Sequence, residues 1–480
     1  MSQNKICFGL LFLFSFIFFF FLNFHFWFIL EAAILKRHKG KEKQNQNMAV
    51  NSGDNVAIDI EGLVSSIKDV SMSPKCCIFK TPIILRRLNE KAYVPDAFSI
   101  GPFHHRDPNL GATEKFKIKY LEGLIHRSPF PEQRLRNLIN SVMDVEKEAR
   151  EYYDRPIRYE PNDFVKILVT DGCFIIELLR KFTLFIHGGL LQNDDPIFTM
   201  SCMQQFLLHD LILLENQVPW MVLELLFSMT MDPEQPWPLL ELAKNYFNTI
   251  FSLSLPEDIL SSPPHINFTD NEDIKHIPDL LRKWMISLIE EVEDNPQSDN
   301  WDSWQPILSA TSLVEAGIKF ERSTSKSILD IKFDKGKGVL KIPPLLIQET
   351  TETTLRNLIS FEQCYPNCEH RFTSYAILID SLINSAKDAE ILGKKKILVN
   401  WLNPEDAAQF FNKLYHNTYV YKYYYGSLSS KLSRYCQQRW PKWRAALVRN
   451  YFNTPWAILS TTAAAILLIL SFLQTWYTIT

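Results

Sequence analysis

Asn162–His187 reads NDFVKILVTDGCFIIELLRKFTLFIH. Phe164, Ile167, Leu168, Phe174, Ile175, Leu178, Leu179 and Phe182 recur three or four residues apart, which predicts a helix with one apolar face. Asn162 or Asp163 is placed to cap its start and Gly188 to end it. Asp171 falls at the centre of the apolar stripe. The pattern recurs from Ser201 to about Gln217, where Met203, Phe206, Leu207, Leu213 and Leu214 flank Asp210. Pro219 sets its ring against the Glu215 carbonyl, so the spacing predicts a kink that exposes Glu215, Asn216 and Gln217. Another apolar run, Trp220 to Phe227, follows at once.

Working outward, helical spacing also appears at Val56–Ile67, at Leu135–Val145, near Asp279–Glu291 and from about Thr351 onward. IKFER, SILDIKF and GVLKI read as three short strands, with Gly336 and Gly338 turning between the last two. The expected class is therefore mainly α: a multi-helix globular region, a small antiparallel β element and a C-terminal transmembrane helix. The expected divisions are a hydrophobic segment at 6–30, a basic and polar linker at 31–55 and a main domain at 56–450. Within the main domain a helical lobe (56–254), a Pro-rich region (255–306) and a second lobe (307–450) are expected. The transmembrane helix is expected at 455–476.

Two stretches match a membrane's dimensions. Trp456–Leu473 carries no charge over 18 residues, about 27 Å of helix. Lys431, Arg434, Arg439, Lys442, Arg444 and Arg449 precede it and no basic residue follows. Ile6–Leu30 holds 11 phenylalanines and no charge, with Lys36, Arg37, Lys39, Lys41 and Lys43 after it. It reads as a second spanning helix, as a cleaved signal, or as absent if translation starts at Met48. Both charge asymmetries place the large region in the cytosol, in one or two passes, with the plasma membrane as the expected site. The sequon Asn267-Phe268-Thr269 should then stay unmodified.

Composition excludes more than it assigns. A net charge of -3 gives no drive toward nucleic acid. Eight cysteines in 480 residues suit a reduced compartment rather than a disulfide scaffold. The phosphate-loop, nucleophile-elbow, zincin and dinucleotide motifs are absent. Asp171, Asp210 and Glu362 on apolar faces could act as acid and base if they met; otherwise each bonds N–H groups or an arginine and fixes packing. His104 and His105 are adjacent, a poor geometry for one ion. Cys364, Cys368 and His370 offer three ligands without a visible fourth. Cys76 and Cys77 read as loop or core thiols, and Lys394–Lys396 as a solvated helix end. The Tyr, Trp and basic residues of 415–443 read as an interfacial belt rather than a nucleic-acid surface. No catalytic, cofactor or metal residue is assigned, and no cofactor is expected.

The motifs SIGPFHH (Ser99–His105), DGCFIIELL (Asp171–Leu179), HDLILLENQVPW (His209–Trp220), AGIKF (Ala316–Phe320) and RNLISFEQC (Arg356–Cys364) occur in this order before the apolar C-terminal helix. Over about residues 56–476 this resembles the plant family of domain of unknown function 247. The resemblance implies a helical protein with a C-terminal membrane segment, and it brings no catalytic residues. Some members lie at the self-incompatibility loci of grasses, which suggests recognition or signalling through protein partners. The Phe-rich segment before Met48 departs from the family pattern. Recognition is thus the first functional expectation, and a membrane-bound enzyme using Asp171, Asp210 and Glu362 the alternative.

Overall fold

The computed structural model describes residues 72–189, 195–231, 237–250, 273–289, 307–400, 403–437 and 455–479. The expected hydrophobic segment at 6–30, the linker at 31–55, the Val56–Ile67 helix, most of the Pro-rich region with Asn267, and the basic residues from 439 to 449 lie outside them. Ser73–Thr480 forms one compact unit.

In chain order the helices are α1 (Ile83–Arg86), α2 (Glu114–His126), α3 (Pro131–Asp144), α4 (Glu146–Arg150), α5 (Pro161–Ile186), α6 (Pro196–Thr199), α7 (Ser201–Leu211), α8 (Trp220–Met229), α9 (Leu239–Phe247) and α10 (Ile277–Ser287). After them come α11 (Ala310–Glu315), α12 (Glu349–Cys364), α13 (Arg371–Leu382), α14 (Ala386–Lys394), α15 (Pro404–Phe411), α16 (Gly426–Gln437) and α17 (Pro455–Ile479). α5 is the long helix expected from the 162–187 pattern. It is packed by α2, α3, α8 and α9, and its apolar stripe is buried from Phe164 to Leu179, with Phe182 half-buried. Its start corrects the expected cap: Pro161 occupies the first turn and no side chain caps the helix. Proline needs no N–H partner there and presets the backbone angle, so Asn162 and Asp163 fall inside the helix. Gly188 ends it as expected, with φ +77°.

α7 stops at Leu211, six residues before the expected end. The kink does not expose Glu215, Asn216 and Gln217; all three are buried. The physical reason is that Asn216 and Gln217 fold back onto the helix end, while Glu215 accepts from the buried Thr81 N–H. Asn216 donates to the Asp210 carbonyl at 2.9 Å, and Gln217 to the Leu211 and Leu213 carbonyls at 2.7 and 2.8 Å. Those carbonyls would otherwise be left without donors.

IKFER and GVLKI form strands where expected, SILDIKF only at its end, and the pairing differs. β1 (Lys319–Arg322) runs parallel to β3 (Val339–Ile342), while β2 (Lys332–Asp334) is antiparallel to β3. The sheet is therefore mixed, not antiparallel. A further pair, β4 (Leu345–Ile347) and β5 (Leu398–Asn400), is parallel. Gly338, at φ +64°, turns the chain into β3. β3 sits centrally, so its Leu340 and Ile342 are buried.

α12 ties together elements from distant parts of the chain. It contacts α7, α10, α13 and the turn Glu90–Tyr93. α17 differs in kind: Leu459–Trp476 is long and apolar enough to cross a membrane, with mean hydropathy 1.6 and none of it buried.

Candidate functional site

The backbone passes from exposed Asp96 into the interior at Phe98–Gly101 and presents its N–H groups to buried side chains. Three of them, Asp96, Ala97 and Phe98, donate to the Asp210 carboxylate at 2.7–2.9 Å. Ile100 donates to Asn216 at 2.7 Å, and Asn216 returns a bond to the Phe98 carbonyl at 2.9 Å. Gly101 donates to Asp171 at 2.8 Å. Buried N–H groups need acceptors, and here two motifs distant in sequence supply them to five residues of the segment. Gly101 has φ +73°, and a Cβ there would overlap the Gln217 carbonyl oxygen. Only glycine fits both demands.

Lys117 of α2 closes the knot. Its side chain is fully buried, donating at 2.6 Å to Asp171 and at 2.6 Å to the Ser99 carbonyl. Burial works to lower the Lys117 ammonium, but Asp171 and Glu114 outweigh it and hold it above its ordinary value. Burial lifts the Asp171 carboxyl, against the pull of Lys117. Glu215 accepts from the Thr81 N–H at 2.9 Å and faces Arg86 and His104 at 3.2 and 3.4 Å. The Leu214 N–H donates to Asn357 of α12 at 2.9 Å, and Asn357 donates to the Ala92 carbonyl at 2.7 Å.

Glu362 lies elsewhere. It accepts from the Phe372 and Thr373 N–H groups at 2.8 and 2.9 Å, capping the start of α13, and faces Arg282 at 3.4 Å. Burial lifts its carboxyl, opposed by Arg282 and those N–H groups. Asp171 and Asp210 thus meet on one backbone segment and Glu362 does not join them. In each, the oxygens are committed to donors, the structural role set against catalysis above.

The other residues singled out in the sequence are dispersed. His105 packs edge-on to Tyr159. Cys76 and Cys77 are buried, as read, and burial pushes the Cys76 thiol up to about 11. Burial likewise lifts Cys364 to about 11 and Cys368 to about 12, far from thiolate chemistry. His370 accepts from the Tyr421 N–H at 3.2 Å. Among the described residues the one trio of metal-type ligands within 4.8 Å is Asp96, His209 and Asp210, and Asp210 already holds three N–H groups. None of the described cysteines forms a disulfide. Lys394 pairs with Glu390 at an exposed helix end.

Sequence reasoning missed Lys117, Arg282 and His276, because nothing local marks a cation or histidine whose partners lie far along the chain. His276 is fully buried, accepts from the Asp279 N–H and bonds the Cys77 carbonyl. Burial pushes it down to about 4, so it is neutral at pH 7. Beside it, α10 and the end of α12 enclose an open cavity of about 350 Å³, lined by Lys275, Arg282, Lys283, Phe361, Tyr365 and Glu369 among others. Its cations are largely neutralised: Arg282 faces Glu362, Lys283 faces Asp279, and Lys275 pairs with Asp273.

Comparison with known proteins agrees with the motifs. The family described as plant protein of unknown function, domain of unknown function 247, matches residues 78–470. The UPF0481 protein At3g47200 of Arabidopsis thaliana is 27% identical, over 83% of this chain and 85% of its own length. The putative UPF0481 protein At3g02645 of the same plant is 23% identical, over 87% and 92%. No solved structure matches. The match takes in the buried segment, the helices that clamp it and most of the apolar C-terminal helix, and the chain belongs to this plant family.

Proposed function

We propose that the chain is a membrane-anchored recognition protein, held by α17 at the plasma membrane, with its large helical region in the cytosol binding other proteins. The observation that carries the anchor is α17: 18 consecutive residues of mean hydropathy 1.6, with none of them buried. Apolar side chains on that scale need a non-aqueous partner. The basic residues before it favour a cytosolic large region. Recognition is favoured over catalysis because Asp171, Asp210 and Glu362 spend their oxygens on backbone donors. A carboxylate so engaged holds packing in place.

The anchor is tested with a chain begun at Met48, with and without residues 451–480. Carbonate extraction should release the truncated form and leave the other in the membrane pellet. Retention of both would overturn the reading. Orientation is read at Asn267: no mobility shift on glycosidase treatment is expected, and a shift lost in Asn267→Gln would place the large region in the lumen. Proximity labelling from the anchored chain in plant cells would identify partners, and labelling of lipid enzymes or metabolite carriers alone would count against protein recognition.

A further inference from the structure

We propose that the surface formed by Ile83–Ile84 and the strap Asn417–Tyr421 docks against the anionic head-group layer of the bilayer; this rests on α17 being the anchor. The strap is fixed, not loose. Asn417, at φ +64°, donates from its side chain to the Ile84 carbonyl at 3.3 Å. Tyr419 exchanges two bonds with the Gln363 side chain, at 2.7 and 2.9 Å. The Tyr421 N–H donates to His370 at 3.2 Å. Further on, Tyr425 is buried and its hydroxyl donates to the Leu329 carbonyl at 2.7 Å.

Against that fixed frame, Ile83 is 75% exposed, Ile84 49%, Tyr419 69% and Tyr421 73%. Single exposed apolar residues are ordinary, but four on two segments tied by a hydrogen bond mark a contact surface. Three observations choose a bilayer as the occupant. Tyrosine is suited to a boundary where the ring is in an apolar layer and the hydroxyl in a wet one. The two segments, 83–91 and 413–422, expose Arg87, Lys91, Lys413 and Lys422 against one acid, Glu90, a charge that complements anionic lipid. Finally, α16 follows the strap directly, and residues 438–454 link it to α17. Those 17 residues reach about 60 Å at most, so the surface is held near the membrane at high effective concentration and weak contacts suffice.

The test uses the full chain in vesicles of phosphatidylcholine with phosphatidylserine, carrying p-benzoylphenylalanine at one position at a time. Tyr421 and Tyr419 report the docking face, Leu467 the anchor, and Ile118, 56% exposed on α2, an apolar surface elsewhere. Lipid adducts are expected at 421, 419 and 467 and not at 118. Omitting phosphatidylserine should lower the yield at 421 and 419 several-fold and leave 467 unchanged. Adducts at 467 alone would overturn the docking face while keeping the anchor. A crosslink from 421 to a second copy or to another protein, in place of lipid, would overturn it equally. Absence of adducts at 467 would overturn the anchor and the proposal with it. Equal melting temperatures of the substituted chains establish that each reporter sits in the folded protein.

Discussion

Around Gly101 the chain buries charge, whereas along Ile83–Ile84, Tyr419–Tyr421 and α17 it exposes apolar surface. Both break the ordinary partition of polar outside and apolar inside, but only one is closed within the chain. Asp171, Asp210, Asn216 and Lys117 find their partners among residues 96–101. The side chains of Ile83, Ile84, Tyr419 and Tyr421 and the leucines of α17 instead stay largely exposed. A buried polar group that is fully matched speaks of assembly, and an exposed apolar group that is not speaks of something outside. On the proposed reading, function is to be sought at the surface rather than at the carboxylates.

The sharpest way to break this comparison is Asp171→Leu. It leaves Lys117 buried without its carboxylate, and a loss of about 3–5 kcal/mol is expected in denaturant unfolding of the detergent-solubilised chain. Adding Lys117→Met should recover most of it, since replacing both partners by apolar groups removes the stranded charge. A neutral single variant would mean that the knot is not structural.

Next in size is a pH effect at His276. Burial holds it at about 4, against about 6.5 in the unfolded chain. The unfolded chain takes up the proton first. This contribution to stability is thus complete above about pH 6.5, and up to about 3 kcal/mol of it is lost as pH falls to about 4. Urea midpoints at neutral and acid pH, compared with His276→Gln, isolate the component. An equal pH slope in both proteins would refute it.

Asp210→Leu should cost about 1–3 kcal/mol by leaving the N–H groups of residues 96–98 without an acceptor, read as a lower melting temperature. An unchanged melt with lost cellular function would favour a catalytic carboxylate. The smallest effect belongs to the surface: Tyr421→Ser in detergent should change stability by less than about 0.5 kcal/mol. A larger loss would show that the strap is core and not a docking face.

Much of this was legible in periodicity. The stripe from Phe164 to Phe182 identifies α5, and Asp171 and Asp210 stand out because a carboxylate amid leucines and phenylalanines needs a partner. The partners were not legible. Lys117 lies 54 residues before Asp171 and the N–H of Phe98 lies 112 before Asp210, and no local pattern encodes such distances. The segment Glu215–Gln217 was misread for a related reason. Pro219 signals a helix break, but not that Asn216 and Gln217 would turn inward onto the helix end, Asn216 also receiving the buried segment, while Glu215 takes the Thr81 N–H. The strands were likewise visible as β-rich runs, while the parallel pairing of β1 with β3 depends on how the intervening residues cross, which alternation does not specify.

Asn357 carries a consequence for the order of assembly. Its carbonyl oxygen holds the Leu214 N–H across 143 residues, and its amide holds the Ala92 carbonyl across 265. During synthesis at about 5–20 residues per second, Leu214 waits about 7–30 s before that acceptor exists. The knot can begin to condense once Gln217 has been made, but its outer face, toward α12, stays unsealed for that interval. Nascent chains arrested before residue 357 should therefore hold α5 and α7 with Leu214 open to solvent exchange, and be more prone to aggregate than chains arrested just after it.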